Sequence, residues 1–266
     1  IDDHTWWILT GKGNLPAELI HFRSIAPDDG SVRYRDRSEE LVAIGLWGPN
    51  SRAVLQSCSS DNCSNEAFPW YTQRRIDVGL APVVAVRISY LGELGWELYV
   101  SQSLALHVWD ALWEAGRPFD MPAVGVQAVM STRIEKGYRL WGSDTTPDYS
   151  PAESGLSWAM DPTKSFRGKE AALAAPVRKR VVTLRFDDPS SVVYGWEPVL
   201  IGDRVIGRIA GGEFGYNVGA FIAHAFVDTD SVGEGAEVEV IATAVRHSAV
   251  VVQGPLFDPT SQRLRS

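Results

Sequence analysis

The sequence has few cysteines and no pattern of metal-ligating residues. Only Cys58 and Cys63 occur among 266 residues, in a Ser/Asn-rich stretch without the paired CxxC spacing of a zinc site. The five histidines are scattered, with no HxH or HExxH spacing that would bring two imidazoles to one ion. We therefore expect no protein-bound metal, and two thiols outside a disulfide framework fit a reducing compartment.

A surplus of basic charge and long apolar runs are also lacking. Lys and Arg number 25 against 33 Asp and Glu, a formal net charge of −8, whereas phosphate binding draws on clustered basic side chains. No stretch approaches the roughly 18 apolar residues of a membrane span, and no basic-then-apolar leader precedes a cleavage site. The sequence thus predicts a soluble, unexported protein without a nucleic-acid or membrane partner, located in the cytoplasm or, in a eukaryote, in the mitochondrial matrix.

What is present is a mixture of helical and β patterns with one change of composition. Hydrophobic residues make up 45% of the chain, enough for one large domain or two to three small ones. Helical spacing alternates with strand-like runs as far as Ala174, and short strands with glycine turns dominate afterwards. The prediction is an α+β fold. Residues 1–175 would form a mixed region and residues 176–266 a small β-barrel or sandwich.

The patterns predict individual elements on both sides of that boundary. In the predicted helix Val126–Glu135, the apolar residues Val126, Val129 and Met130 share one face, so we expect that face to pack on the sheet. We also expect a hairpin turn at Ile201-Gly202-Asp203. The other predicted helices are Asn14–Phe22, one after Asn50 that carries Ala53, Val54 and Leu55, one between Ser103 and Gly116, and Lys169–Ala174. The predicted strands are Trp6–Thr10, Leu41–Trp47, Val83–Ser89, Trp96–Val100, Val181–Phe186, Glu197–Leu200, Arg204–Ile209, Phe221–Val227 and Glu237–Ala242.

The stretch RISYLGELGWELY (residues 87–99) is the most informative for function. If Tyr90 closes one strand and Trp96 opens its partner, the hairpin brings Tyr90 and Glu97 close together, and alternation points Trp96 and Glu97 to opposite faces. A carboxylate in so apolar a strand needs a partner or water. Glu97 could face solvent, as strand carboxylates commonly do. It could also bind a pterin, whose 2-amino group and ring N–H match the two oxygens of a carboxylate.

A second stretch, RIEKGYRLWG (residues 133–142), could also contribute to a binding site, because it lies at the end of a predicted helix. A helix that stops at Gly137 delivers Tyr138 to a loop that can reach a pocket. Without a resemblance to guide the assignment, the simplest interpretation of Arg133 and Glu135 is that they form ordinary surface or interdomain ion pairs. No Ser/His/Asp or Cys/His constellation and no GxGxxG opening a βαβ unit is present, so neither nucleophilic hydrolysis nor a dinucleotide site is indicated.

These motifs resemble one known family. SYLGELGWE (residues 89–97) resembles the Y-x-G-E-x-G-[FW]-E signature of the glycine cleavage T-protein (aminomethyltransferase) family. RIEKGYR (residues 133–139) resembles the dehydrogenase branch of that family, the carboxyl-terminal part of dimethylglycine and sarcosine dehydrogenases. Segments similar to SPAESGL, FRGKEA and FDP followed by RLR occur there in the same order, so the similarity covers nearly the whole chain.

The resemblance implies tetrahydrofolate binding in the central hole of a multi-lobed α+β structure whose last lobe is a β-barrel. Tyr90 and Glu97 match family folate contacts, and Tyr138 matches an aromatic residue there. A folate-contacting Arg of the classical T-proteins is replaced by Val129, which is apolar in the dehydrogenase branch as well. The resemblance further implies a small methylated amine as the one-carbon donor. A flavin-dependent oxidoreductase domain or subunit would belong to the parent protein, with no FAD site in this chain.

The family also carries an Asp-Asp pair whose second carboxylate is essential for transfer. Asp2-Asp3 resembles this pair, but the distance to the following strand-like run is about half that of the family. We therefore interpret Asp2-Asp3 as a turn, expect the amino-terminal part of the family fold to be missing, and assign no catalytic residue. The expected function is folate-dependent one-carbon transfer. A folate-dependent demethylase and a non-catalytic folate-binding module remain alternatives.

Overall fold

The chain folds into a four-stranded antiparallel sheet followed by a closed six-stranded barrel. A computed structural model describes residues 2–11 and 13–266. In chain order the helices and strands are α1 (Leu15–Ile25), β1 (Leu41–Trp47), α2 (Ser51–Cys58), β2 (Gln73–Val78), β3 (Ala81–Val86), β4 (Gly95–Ser101), α3 (Ala105–Gly116), α4 (Val126–Glu135), α5 (Lys169–Ala174), β5 (Lys179–Phe186), β6 (Pro198–Ile201), β7 (Arg204–Gly215), β8 (Ala220–Asp228), β9 (Glu237–Ala242), β10 (Val245–Val252) and α6 (Gln262–Arg265).

The four-stranded sheet, in the order β1-β4-β3-β2, buries one face and leaves the other half-exposed. Strand β4 alternates, with Trp96 and Leu98 fully buried and Glu97 and Tyr99 on the opposite, half-exposed face. Helices α2 and α3 cover the apolar face and complete one hydrophobic core with it. The predicted separation of Trp96 and Glu97 onto opposite faces is confirmed.

The barrel closes in the order β10-β5-β8-β7-β6-β9 and contains the second hydrophobic core. Strand β8 is buried along nearly its whole length, because one face fills the barrel and the other lies against α4. Gly207 allows β7 to approach β8, since an added Cβ would lie 2.1 Å from the carbonyl oxygen of Phe226. The predicted α+β class with a carboxyl-terminal β-barrel is confirmed.

Helix α4 has the predicted bounds, but its three predicted apolar contacts do not form its buried face. Val126 is 73% exposed and Val129 and Met130 are only half-buried, whereas Arg133 and Glu135 are buried. The reason is that α4 packs on β7 and β8 through polar contacts, as in the hydrogen bond of 2.6 Å from Ser131 Oγ to the carbonyl of Phe214. The prediction that its apolar residues pack on the sheet is therefore wrong.

Two further differences concern strands. Residues 6–10 form no strand, because among residues 2–11 and 13–266 no segment pairs with them, and Trp6 is 74% exposed. A turn forms at Asp3-His4, one residue beyond the predicted Asp2-Asp3, with Asp2 and Thr5 exchanging backbone hydrogen bonds of 3.3 Å, and the strand expected after it is absent. Strands β2 and β10 were not predicted at all. In the described part of the chain, no helix combines the length and the apolar character needed to cross a membrane.

Candidate functional site

Tyr90 and Tyr138 form an aromatic pair where the sheet, the end of α4 and the barrel meet. Tyr90 lies in the loop formed by residues 87–94 and donates a hydrogen bond of 2.9 Å to the carbonyl of Arg139. The two rings are stacked, with centroids 6.1 Å apart and planes 14° from parallel. Both side chains are half-buried, and this burial raises the pKa of each phenol. The structure thus brings these two predicted folate contacts together.

The end of α4 explains why Tyr138 reaches this position. Gly137 adopts a left-handed conformation at φ +69°, which a residue with a side chain adopts only with strain. The Gly137 N–H donates to the carbonyl of Ile134 at 3.0 Å, and the Tyr138 N–H donates to that of Arg133 at 2.9 Å. These two bonds form a Schellman motif, which ends the helix and turns the following residue sideways.

Glu97 lies on the half-exposed face of strand β4. The sheet register places it opposite Gly45 of β1 and Val86 of β3. Its Oε2 accepts a hydrogen bond from the hydroxyl of Tyr99, whereas its Oε1 accepts none from the residues that the structure describes. Burial raises the pKa of Tyr99, and the Glu97 carboxylate raises it further. One carboxylate oxygen of Glu97 is therefore held in place and the other is free to bind a ligand.

Among the described residues no hydrogen bond or ring contact joins Tyr90 and Glu97, so their closeness stays a prediction. Strand β3 ends at Val86, and the Arg87 N–H donates to the carbonyl of Thr72 on the β2 side instead of to β4. The Ser89 hydroxyl then accepts hydrogen bonds from two backbone amides of its own loop. Because these bonds fold residues 87–94 into a compact loop, Tyr90 cannot close the strand opposite Glu97, and no hydrogen bond or ring contact joins the two within the described chain.

A buried polar cluster of Arg133, Asp144 and His224 supports the tyrosine pair. Arg133 donates through Nη1 to Asp144 Oδ2 and, at 3.2 Å, to the carbonyl of Tyr138. His224 Nδ1 lies 3.1 Å from the same carboxylate oxygen without being aligned for a hydrogen bond. The side chains of Asp144 and His224 are fully buried. The cluster therefore attaches the segment after α4 to strand β8 of the barrel.

The surroundings of Asp144 and His224 lower the pKa of both side chains. Burial alone would raise the pKa of Asp144, but contact with His224, with Arg133 and with the Leu140 amide outweighs it, so the pKa is lowered. Burial lowers the pKa of His224 by more than the neighbouring Asp144 raises it. At neutral pH the cluster therefore holds an ionised carboxylate, a guanidinium and a neutral imidazole.

Glu135 makes the second buried contact between α4 and the barrel. Its Oε1 accepts hydrogen bonds from the backbone amides of Asn217 at 2.6 Å and Val218 at 3.1 Å. Its Oε2 accepts one of 2.6 Å from the Asn217 side chain. The alternative of an ordinary ion pair thus fails for Glu135, which binds the β7–β8 turn instead, whereas Arg133 does form an ion pair, in a buried position. No sequence motif pointed to His224 or Asn217.

The segment that follows the barrel closes the same region. Lys136 Nζ lies 3.1 Å from Asp258 Oδ2. The buried Arg87 donates through Nη2 to the carbonyls of Leu264 at 3.5 Å and Ser266 at 2.9 Å. The segment therefore connects α4 with the four-stranded sheet.

The arrangement is suited to binding a planar ligand. The tyrosine pair offers a flat aromatic surface, and Glu97 offers a carboxylate oxygen to a pair of donors. Among the residues that the structure describes, no group of three or more His, Cys, Asp or Glu side chains could hold a metal ion. We assign no catalytic acid or base.

The chain is similar to known proteins along nearly its whole length. The model of the GCVT N-terminal domain matches residues 1–164, and that of the Glycine cleavage T-protein C-terminal barrel domain matches residues 179–258. Human mitochondrial dimethylglycine dehydrogenase is 31% identical over 97% of this chain, which spans only 31% of that protein. The aminomethyltransferase of Thermotoga petrophila is 33% identical, and the match covers 97% of this chain and 66% of that protein. The crystal structure of glycine cleavage system aminomethyltransferase T from Bartonella henselae superimposes with a TM-score of 0.73 at 25% identity, covering 82% of this chain and 60% of that one.

Proposed function

Because the chain belongs to the glycine cleavage T-protein family, we propose that it binds tetrahydrofolate and supports transfer of a one-carbon unit to it. The observation that carries this proposal is Glu97, whose carboxylate is oriented by the Tyr99 hydroxyl and keeps one oxygen free on the half-exposed face of the sheet.

The residues present fit a reduced pterin. The 2-amino group and the adjacent ring N–H of a pterin are two parallel donors, and a carboxylate can accept both. The stacked rings of Tyr90 and Tyr138 supply an aromatic environment for a flat ring system. When bound, the folate supplies the nucleophilic nitrogens N5 and N10. The protein's part is to orient the ring and to exclude water.

The buried cluster positions this aromatic surface without belonging to it. Arg133 of α4 donates a hydrogen bond to the carbonyl of Tyr138, and Tyr90 of the 87–94 loop donates one to the carbonyl of Arg139. Two consecutive carbonyls after α4 are therefore fixed by side chains from two different parts of the fold. Because Asp144 and His224 fix Arg133 in turn, we propose that α4 and the barrel together set the position of Tyr138.

Changing Glu97→Gln tests the proposal directly. The substitution keeps the shape of the side chain but removes its charge, so the affinity for tetrahydrofolate should fall by about 1 to 3 kcal/mol, the range for losing a charge-assisted hydrogen bond. Isothermal titration calorimetry measures this. Folding should be nearly unchanged, because Glu97 is half-exposed.

Asp77→Asn is the matched control. Asp77 lies on β2 of the same sheet, is exposed, and its side chain forms no hydrogen bond with the residues described. The control should bind folate as the unchanged protein does. Equal affinities for all three proteins would return Glu97 to the role of an ordinary solvated carboxylate.

We further propose that the one-carbon donor is a small methylated amine, oxidised by a flavin-dependent domain or subunit of the complete protein. The support is the similarity to dimethylglycine and sarcosine dehydrogenases, of which this chain spans less than a third. A turnover assay of the complete protein with tetrahydrofolate should give product from dimethylglycine or sarcosine. Product only from methoxy-aromatic or sulfonium donors would select a demethylase, and folate binding without turnover would select a non-catalytic module.

A further inference from the structure

A cavity of about 380 Å³ lies between the end of α4, strand β5 and the segment that follows β10. It is separate from the aromatic pair and from Glu97, since none of these side chains lines it. Three basic residues and one acidic residue contribute to its wall, namely Lys136, Arg139, Arg180 and Glu234. Its character is therefore predominantly basic in a protein whose net charge is −8.

The charges of this wall are not balanced from within the protein. Lys136 is paired with Asp258 at 3.1 Å. Arg139 and Arg180, by contrast, form no ion pair with an acidic side chain of the described residues, and Glu234 is exposed and pairs with neither. Two guanidinium groups thus share one cavity without a counter-charge at ion-pair distance.

Each of these guanidinium groups is fixed by one carbonyl and keeps a donor unused. Arg139 Nε donates to the carbonyl of Ser154 at 3.3 Å, and Arg180 Nη2 donates to that of Val232. Arg139 Nη1 and Arg180 Nε are buried and have no hydrogen-bond partner in the described part of the chain. A buried donor without an acceptor costs about 1 to 3 kcal/mol, and more when it is charged. Each guanidinium group therefore has a donor available for a ligand that enters the cavity.

Burial also acts on the charge of Arg139 itself. It lowers the pKa of this guanidinium by more than the nearby Asp144 raises it. Asp144 is already engaged by Arg133 and His224, so it does not provide Arg139 with a counter-charge of its own. A desolvated cation of this kind is stabilised by an anion that brings its own acceptors.

We propose that this cavity is a binding site for a small oxyanion, held by Arg139 and Arg180. The planar guanidinium group recognises a pair of oxygens on a phosphate or a carboxylate through its paired N–H donors. The volume falls within the range of small-molecule sites, about 300 to 1,000 Å³, so a free phosphate and a small carboxylic acid are both accommodated. The proposal does not rest on folate binding.

The test compares the complete protein with an Arg180→Gln variant. Arg180 is chosen because it is only partly buried and bonds to the protein through a single carbonyl, so we expect its substitution to leave the fold intact, which circular dichroism checks. Isothermal titration calorimetry with inorganic phosphate, and separately with glutarate as a dicarboxylate, should show saturable binding that is weakened at least about tenfold in the variant. Saturation by phosphate alone identifies a phosphate site, and saturation by glutarate alone identifies a carboxylate site.

Arg185→Gln is the matched control, since Arg185 lies on the same strand, is exposed and does not line the cavity. It should bind the anion as the unchanged protein does, and the anion should raise the melting temperature of both but not of Arg180→Gln. Equal binding by Arg180→Gln and Arg185→Gln would show an adventitious ion only and overturn the proposal. So would the absence of saturation by either anion at millimolar concentration.

Discussion

Acidification should destabilise this protein through His224 before its carboxylates are protonated. His224 is fully buried, and burial lowers its pKa below the ordinary value of 6.5. The unfolded chain therefore takes up a proton near pH 6.5, whereas the folded protein does not. The stability that depends on neutral His224 is complete above pH 6.5 and is lost as the pH falls towards the folded-state pKa.

The size of this effect has an upper limit. A proton bound only by the unfolded state costs about 1.4 kcal/mol for each pH unit below 6.5. Between pH 6.5 and pH 5.0, which is 1.5 units, the loss reaches about 2 kcal/mol if the folded state takes up no proton. Asp144 has a lowered pKa, so its contribution is present above the ordinary value of 3.8 and is lost only below it. The window between pH 6.5 and 5.0 therefore reports His224 and not Asp144.

The assay is urea denaturation of the unchanged protein and of His224→Gln across this window. The variant is less stable near neutral pH, but its stability should fall less steeply, so that the difference between the two proteins shrinks by up to about 2 kcal/mol towards pH 5. His21→Gln, at an exposed position, should follow the unchanged protein. Parallel stability curves for the unchanged protein and His224→Gln would show that His224 is not kept neutral by burial.

Two further predictions concern the cores and the chain between them. Leu98→Ala should lower the free energy of unfolding, measured by chemical denaturation, by about 2 to 5 kcal/mol, since Leu98 is fully buried. Its control is Leu106→Ala, at a position 71% exposed, which should change the free energy of unfolding by no more than about 0.5 kcal/mol. Limited proteolysis should cut first near Ala174 to Lys179, from the last residue of α5 to the first residue of β5, a stretch that is mostly exposed. A first cut within residues 202–219 would contradict a domain boundary at 175/176.

The elements that the sequence predicted well are those decided by local pattern. Strand β1 has the predicted bounds Leu41–Trp47 because an apolar run ends there at a Gly-Pro pair. The turn Gly202-Asp203 lies between β6 and β7 as expected, with Gly202 at φ +58°. Helix α4 ends where Gly137 permits a left-handed residue. In each case the residues that decide the conformation are within a few positions of one another.

What could not be predicted depends on contacts between distant parts of the chain. The buried residues of α4 are mostly polar because Glu135 binds Asn217 on the barrel, 82 positions away, and Arg133 binds Asp144, which in turn lies against His224 on the barrel. The sequence did not predict strand β2, because four of its six residues, QRRIDV, are polar and only Ile76 and Val78 are buried in the core. For residues 6–10 the error was the opposite one: the apolar run predicted a strand, but without a partner strand it does not form a sheet.

The bonds of Arg87 bear on the order in which the chain can fold as it is synthesised. Arg87 is translated 177 residues before Leu264, one of its carbonyl acceptors. At about 5 to 20 residues per second, the ribosome needs roughly 10 to 35 s to reach that acceptor. During this interval the guanidinium that ends up fully buried lacks two of its native partners, so the amino-terminal sheet completes its packing only after the barrel has emerged.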